Sequence, residues 1–177
     1  LCSVKAVYVP RECLRRITKL KQKDSLEKTT LDFINLLSKE SGIAVEDFGV
    51  HGSVALNMHT PKSDIDIVVY GSQNFRKLEK TIDKLVLSEK LSYLFNNRLD
   101  TCRRYRGQYK NKVFMYNAIR KPEEVNSKHG IFKYSPILHV NFRCTVKDDK
   151  EAMFRPAIYK VTKLTRGCLD EEMWTQF

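Results

Sequence analysis

Two aspartates one residue apart, Asp64 and Asp66, head an apolar run, Ile65-Asp66-Ile67-Val68-Val69-Tyr70. The β-branched character of 65–70 predicts a buried strand. Strand side chains alternate faces, so Asp64 and Asp66 point one way while Ile65 and Ile67 point the other. Two carboxylates side by side on an apolar strand are costly unless a cation lies between them. Hard divalent ions such as Mg²⁺ take oxygen ligands and accept substrate phosphates among them. Upstream, after a short apolar lead-in, stand Gly52 and Ser53. Gly52 lets a backbone come close, and Ser53 opens a predicted helix over 53–58. That turn offers N–H groups, a hydroxyl and a positive helix end to an anion. A phosphate cradle beside a carboxylate pair is the equipment of metal-assisted phosphoryl or nucleotidyl transfer.

Gly52-Ser53, a spacer of about ten residues, then Asp64-Ile65-Asp66-Ile67 resembles the signature of the DNA polymerase beta-like nucleotidyltransferase superfamily. The resemblance implies an α/β fold, a nucleoside triphosphate substrate and Mg²⁺ or Mn²⁺ as cofactor. It implies that Asp64 and Asp66 are catalytic and bind metal, and that Gly52 and Ser53 hold the triphosphate. Lys62 and Ser63, just before Asp64, are candidates for the same task, although an ordinary loop lysine accounts for Lys62 equally well. His51 stands where the family more often has an apolar residue. It is either a phosphate contact or a structural strand-end histidine.

In the family a third acid on a later strand faces the first two, because a two-metal clamp needs several anionic ligands. No such acid is evident after residue 71. Asp148-Asp149-Lys150 reads as a turn. The apolar frame of His139-Val140-Asn141-Phe142 makes Asn141 the expected replacement ligand. Its amide oxygen could reach a metal but could not take a proton near pH 7.

The elements that must position these groups follow from pattern. Asp24-Ser25-Leu26-Glu27 looks like a capping box. It opens a helix to Ser41 with Leu26, Phe33, Ile34 and Leu37 on one face, and Gly42 stops it. Phe48-Gly49-Val50 begins the first strand. Ser72 or Asn74 caps a helix whose apolar face is Phe75, Leu78, Ile82 and Leu85, and further helical turns follow through Leu91, Leu94 and Phe95. Strands are expected over 113–119, 137–142 and 156–161.

Residues 98–112 hold Arg98, Arg103, Arg104, Arg106, Lys110 and Lys112 against Asp100 alone, with Tyr105 and Tyr109 four apart. Arginine binds phosphate bidentately and tyrosine stacks on bases. The stretch is therefore either a strip that holds triphosphate or nucleic acid, chiefly through Arg103 and Arg104, or a solvated helix whose tyrosines dock inward. The basic helix over 11–23 reads as an amphipathic surface helix rather than a dedicated nucleic-acid contact.

The 177 residues carry a formal charge of +11, which favours a polyanionic partner. Five scattered cysteines without close pairing argue against a zinc site or disulfide framework and for a cytoplasmic, reducing setting. No run is long and apolar enough for a membrane helix, and there is no signal-peptide pattern. The chain begins at Leu1, as a piece of a longer protein would.

The expectation is a mixed sheet of about four or five strands flanked by helices. A basic arm would occupy 1–24, a nucleotidyltransferase-like domain 25–161, and a tail or the start of a further domain 162–177. Function is expected to be transfer of a nucleotidyl group from a triphosphate to an acceptor hydroxyl, with RNA the favoured nucleic-acid partner. The alternative is a catalytically weak or inactive nucleotide- or RNA-binding module on the same fold.

Overall fold

A computed structural model describes residues 9–125, 135 and 142–165. The chain divides into two compact units, Leu1–Ile119 and Arg120–Phe177.

The first unit is built on a five-stranded mixed sheet in the order β1-β2-β5-β4-β3. The strands are β1 (Phe48–Val50), β2 (Ile65–Tyr70), β3 (Ser92–Tyr93), β4 (Arg106–Tyr109) and β5 (Lys112–Ile119). β2 runs parallel to β5, with Ile65 opposite Phe114 and Asp66 opposite Met115. β1 and β4 add antiparallel to these two. The expected helix-flanked α/β sheet is what forms.

The register sorts the side chains. Ile65, Ile67, Phe114 and Tyr116 share one face and are buried. Against it lie α2 (Ser25–Ser41) and α4 (Ser72–Leu87). Phe33 of α2 meets Phe114 with ring centroids 4.7 Å apart, and Phe75 of α4 meets Tyr116 at 5.7 Å. The opposite face carries Asp66, Val68, Tyr70, Met115 and Asn117. Its far end is covered by α1 (Pro10–Lys19), where Arg11 lies 3.8 Å over the Tyr70 ring and bonds Asp47 at 3.0 Å. Pro10 comes so close to Gly49 that a Cβ there would sit 2.7 Å from the proline Cβ. α1 therefore closes one end of this face and leaves the aspartate end open.

Local signals hold where they are local. Asp24 accepts from the Glu27 amide at 2.9 Å while Glu27 accepts from the Asp24 amide at 3.1 Å, which is the expected capping box. Gly42 ends α2 in the left-handed region.

Several expectations are corrected. The helix after Gly52 is a single turn, α3 (Gly52–Ala55). No side chain caps α4; Asn74 instead donates to Asp47 and to the Tyr70 carbonyl, both at 2.8 Å. Residues 91–95 contribute the short strand β3 rather than helical turns. Residues 98–112 are not one helix: α5 (Arg98–Arg103) gives way to β4, and Lys110-Asn111, both at positive φ, turn the chain into β5. Two successive left-handed residues make the tight hairpin turn whose twist matches the strands.

The second unit contains a two-stranded sheet of β6 (Arg143–Glu151) and β7 (Ile158–Thr165). Asp148 and Asp149 therefore lie on a strand, not in a turn. Arg120 binds Glu151 at 2.6 and 2.9 Å and covers the Phe154 ring at 4.2 Å. The strand expected at 137–142, including His139 and Asn141, lies outside the described residues except for Phe142. The expected segments at 1–8 and 166–177 also lie outside them.

Candidate active site

The two halves of the Gly-Ser … Asp-x-Asp pattern meet at the open end of β2. The His51 amide donates to the Asp66 carbonyl at 3.1 Å, tying the strand-to-α3 turn to the neighbouring strand. Gly52 then turns at φ +64° directly above the Asp66 carboxylate. A Cβ at Gly52 would lie 2.1 Å from Asp66 Oδ2. Glycine is needed here twice over, for the left-handed backbone and for the space. Ser53, half-buried, follows on the first turn of α3.

Asp64 immediately precedes β2, and Asp66 is its second residue. Asp66 Oδ1 is buried and has no hydrogen-bond partner among the described residues. Burial is the largest influence on this carboxyl and raises it above the ordinary aspartate range; His51 opposes the rise, Asp64 adds to it, and Arg106 opposes it. A buried carboxylate oxygen without a donor is a position that a cation would satisfy. Two carboxylates, an orphaned oxygen and a glycine roof fit a hard divalent ion.

The strand beside β2 is β5, so the position facing Asp66 is Met115. Met115 is in turn opposite Arg106 of β4. Across this row no acid among the described residues faces the pair. A guanidinium does: Arg106 Nη2 lies 3.5 Å from Asp64 Oδ2. Asn117, one step further along β5, has its amide nitrogen 3.4 Å from His51 Nε2.

Lys62 and Ser63 form a tight turn before Asp64. The Ser63 amide donates to the Thr60 carbonyl, and the Thr60 amide donates to Ser63 Oγ, both at 3.0 Å. Lys62 is exposed on this turn.

Arg103 and Arg104 are not brought to the carboxylates. They line a cleft of about 480 Å³ with Arg76, Lys80, Asp83 and Tyr116, beside α4 on the other face of the sheet. Arg104 pairs with Asp83 at 3.5 Å. Tyr109 stacks on Phe33 at 5.0 Å, so this tyrosine docks inward. Of the basic strip, Arg106 is the member on the carboxylate face, and the alternation of β4 puts it there. That alternation was hidden while 98–112 read as either a binding strip or a solvated helix.

A second acidic cluster involves His59. Asp24, Glu27 and His59 each bring a ligand atom within 4.8 Å of the others and could hold a metal ion. The capping box already occupies Asp24 and Glu27, and His59 Nε2 pairs with Asp24 Oδ2 at 2.6 Å. These bonds account for the cluster as the anchor of the 56–63 spacer on the start of α2.

Among the described residues Cys13, Cys102 and Cys144 are free thiols. No described helix is long and apolar enough to cross a membrane.

Comparison with known proteins places the chain in a family. The model of the nucleotidyltransferase domain family matches residues 32–126, more than half of the chain. An uncharacterized protein of Methanocaldococcus jannaschii is 25% identical over 147 residues, which cover 71% of this chain and 43% of that protein. The chain therefore spans less than half of that relative's length. No solved structure matches.

Proposed function

Because the chain belongs to the nucleotidyltransferase domain family, of the polymerase beta-like kind, we propose that it transfers a nucleotidyl group from a nucleoside triphosphate to an acceptor hydroxyl. The observation that carries this reading is the interlock of Gly52 with Asp66, whose buried Oδ1 lacks a partner. Asp64 and Asp66 are the residues that would hold Mg²⁺ or Mn²⁺. When bound, such an ion neutralises phosphate charge and polarises the phosphorus under attack.

The rest of the chemistry belongs to the chain. Gly52 and Ser53 bring backbone against the triphosphate, because no side chain at 52 intervenes. Lys62, exposed on the 60–63 turn, is within the segment that would meet the outer phosphates, and Ser63 fixes that turn. The acceptor oxygen attacks the α-phosphorus as the bond to the β-phosphate oxygen breaks. Pyrophosphate leaves, and the acceptor proton passes to water. In-line positioning and charge stabilisation supply most of the catalysis in such transfers.

A second reading has its own support. Met115 faces Asp66 where a third carboxylate would complete a two-metal clamp, which suits a module that binds nucleotide or RNA and turns over poorly. An incorporation assay separates the two: labelled triphosphates, Mg²⁺ or Mn²⁺ and pooled RNA acceptors, with wild type and Asp64→Ala/Asp66→Ala. Metal-dependent transfer lost in the double variant supports the enzyme. Metal-dependent triphosphate binding without transfer supports the module.

A further inference from the structure

The charge balance around Asp64 and Asp66 says more than that a metal fits there. The row His51–Asp66–Met115–Arg106 crosses three neighbouring strands and the turn beside them. Arg106 Nη2 is 3.5 Å from Asp64 Oδ2, and both side chains are about one-third exposed, 30% and 35%. The same guanidinium acts on Asp66 and opposes its raised pKa. Its Nε is buried without an acceptor among the described residues. The guanidinium is thus engaged with Asp64 through Nη2 and carries an Nε without an acceptor among the described residues.

Resting on the nucleotidyltransferase reading, we propose that Arg106 makes this site select the metal–triphosphate complex over the bare metal ion. A lone dication is drawn to two carboxylates and repelled by the guanidinium beside them, so Arg106 opposes its entry. A triphosphate carrying one divalent ion is still net negative. Two bare carboxylates repel that complex, and Arg106 reverses part of the repulsion. A phosphate oxygen that meets the exposed part of the guanidinium also gains the charge-assisted hydrogen bonds that arginine makes with phosphate. Met115 in place of a facing acid leaves Arg106 as the group that answers the phosphate charge across this row. Arg106 is a binding residue for the triphosphate and a competitor of the free ion.

The two roles predict effects of opposite sign, which loss of fold or packing does not produce. The variants are Arg106→Gln and Arg106→Lys, each checked by thermal melting. Bare Mn²⁺ binding is followed by electron paramagnetic resonance without nucleotide. Triphosphate binding is followed at saturating Mn²⁺ with a fluorescent, non-hydrolysable analogue. Arg106→Gln should bind bare Mn²⁺ about threefold or more tighter and the analogue about tenfold or more weaker. Arg106→Lys keeps the charge and loses the fork, so Mn²⁺ affinity stays at the wild-type value while analogue affinity falls by a smaller factor.

Equal weakening of both ligands in Arg106→Gln, no change in either, or tighter Mn²⁺ in Arg106→Lys would overturn the proposal. Asp64→Ala/Asp66→Ala separates its failure from that of the underlying reading. If the double variant loses Mn²⁺ while Arg106→Gln changes nothing, the metal site stands and the role of Arg106 falls. If the double variant binds Mn²⁺ as wild type does, the site itself is misread.

Discussion

Asp66 is a carboxylate that the fold alone disfavours. Its Oδ1 is buried without a donor, and burial raises its pKa above the usual 3.8. The folded protein therefore binds this proton more tightly than the unfolded chain does. Stability falls as pH rises from the ordinary aspartate value through the raised one, and acidification restores it. Asp66→Asn should accordingly raise the melting temperature at neutral pH without metal, with the gain shrinking as the pH is lowered towards the ordinary aspartate value. Thermal melts of both proteins across that range check this. Gly52 is the other residue under constraint. Gly52→Ala adds left-handed strain of about 1–2 kcal/mol and drives a methyl to within 2.1 Å of Asp66 Oδ2. We expect a loss in transfer of about a hundredfold or more, since small misplacements at a reacting centre cost that much. Steady-state rates beside denaturation curves will show whether the loss exceeds the destabilisation.

Secondary-structure elements explain which parts of this arrangement were legible in the sequence. The capping box at Asp24 and Glu27, the stop at Gly42 and the alternation of 65–70 are local, and all appear as read. Residues 98–112 misled because Tyr105 and Tyr109, four apart, imitate a helical face. The hairpin turn that splits them is Lys110-Asn111, which lacks the glycine that usually announces such turns. With β4 unrecognised, Arg106 could not be assigned a face. Asn141, the expected replacement ligand, lies outside the described residues, and strand order is a tertiary fact. Nothing local to Val113–Ile119 reveals that it pairs with β2. The anchor of the spacer makes an element-scale prediction. Asp24→Ala should cost about 1 kcal/mol through the lost cap, measurable by urea denaturation, and it also frees His59. Asp24→Asn should retain most of the cap.

At the scale of the whole molecule, the net charge of +11 is not concentrated at the carboxylates. The cleft holding Arg76, Lys80, Arg103 and Arg104 lies on the other face of the sheet. Polyanion affinity and metal-dependent nucleotide affinity should therefore respond to different changes. Binding of pooled RNA should fall about tenfold or more between roughly 50 and 200 mM salt. It should survive Asp64→Ala/Asp66→Ala, as filter binding at several salt concentrations will show.

The most direct test of the central claim needs no acceptor: equilibrium binding of labelled nucleoside triphosphates with and without Mg²⁺, to wild type and to folded Asp64→Ala/Asp66→Ala. The account predicts Mg²⁺-dependent binding that the double variant loses. Triphosphate binding independent of Mg²⁺ and unchanged in the double variant would contradict it.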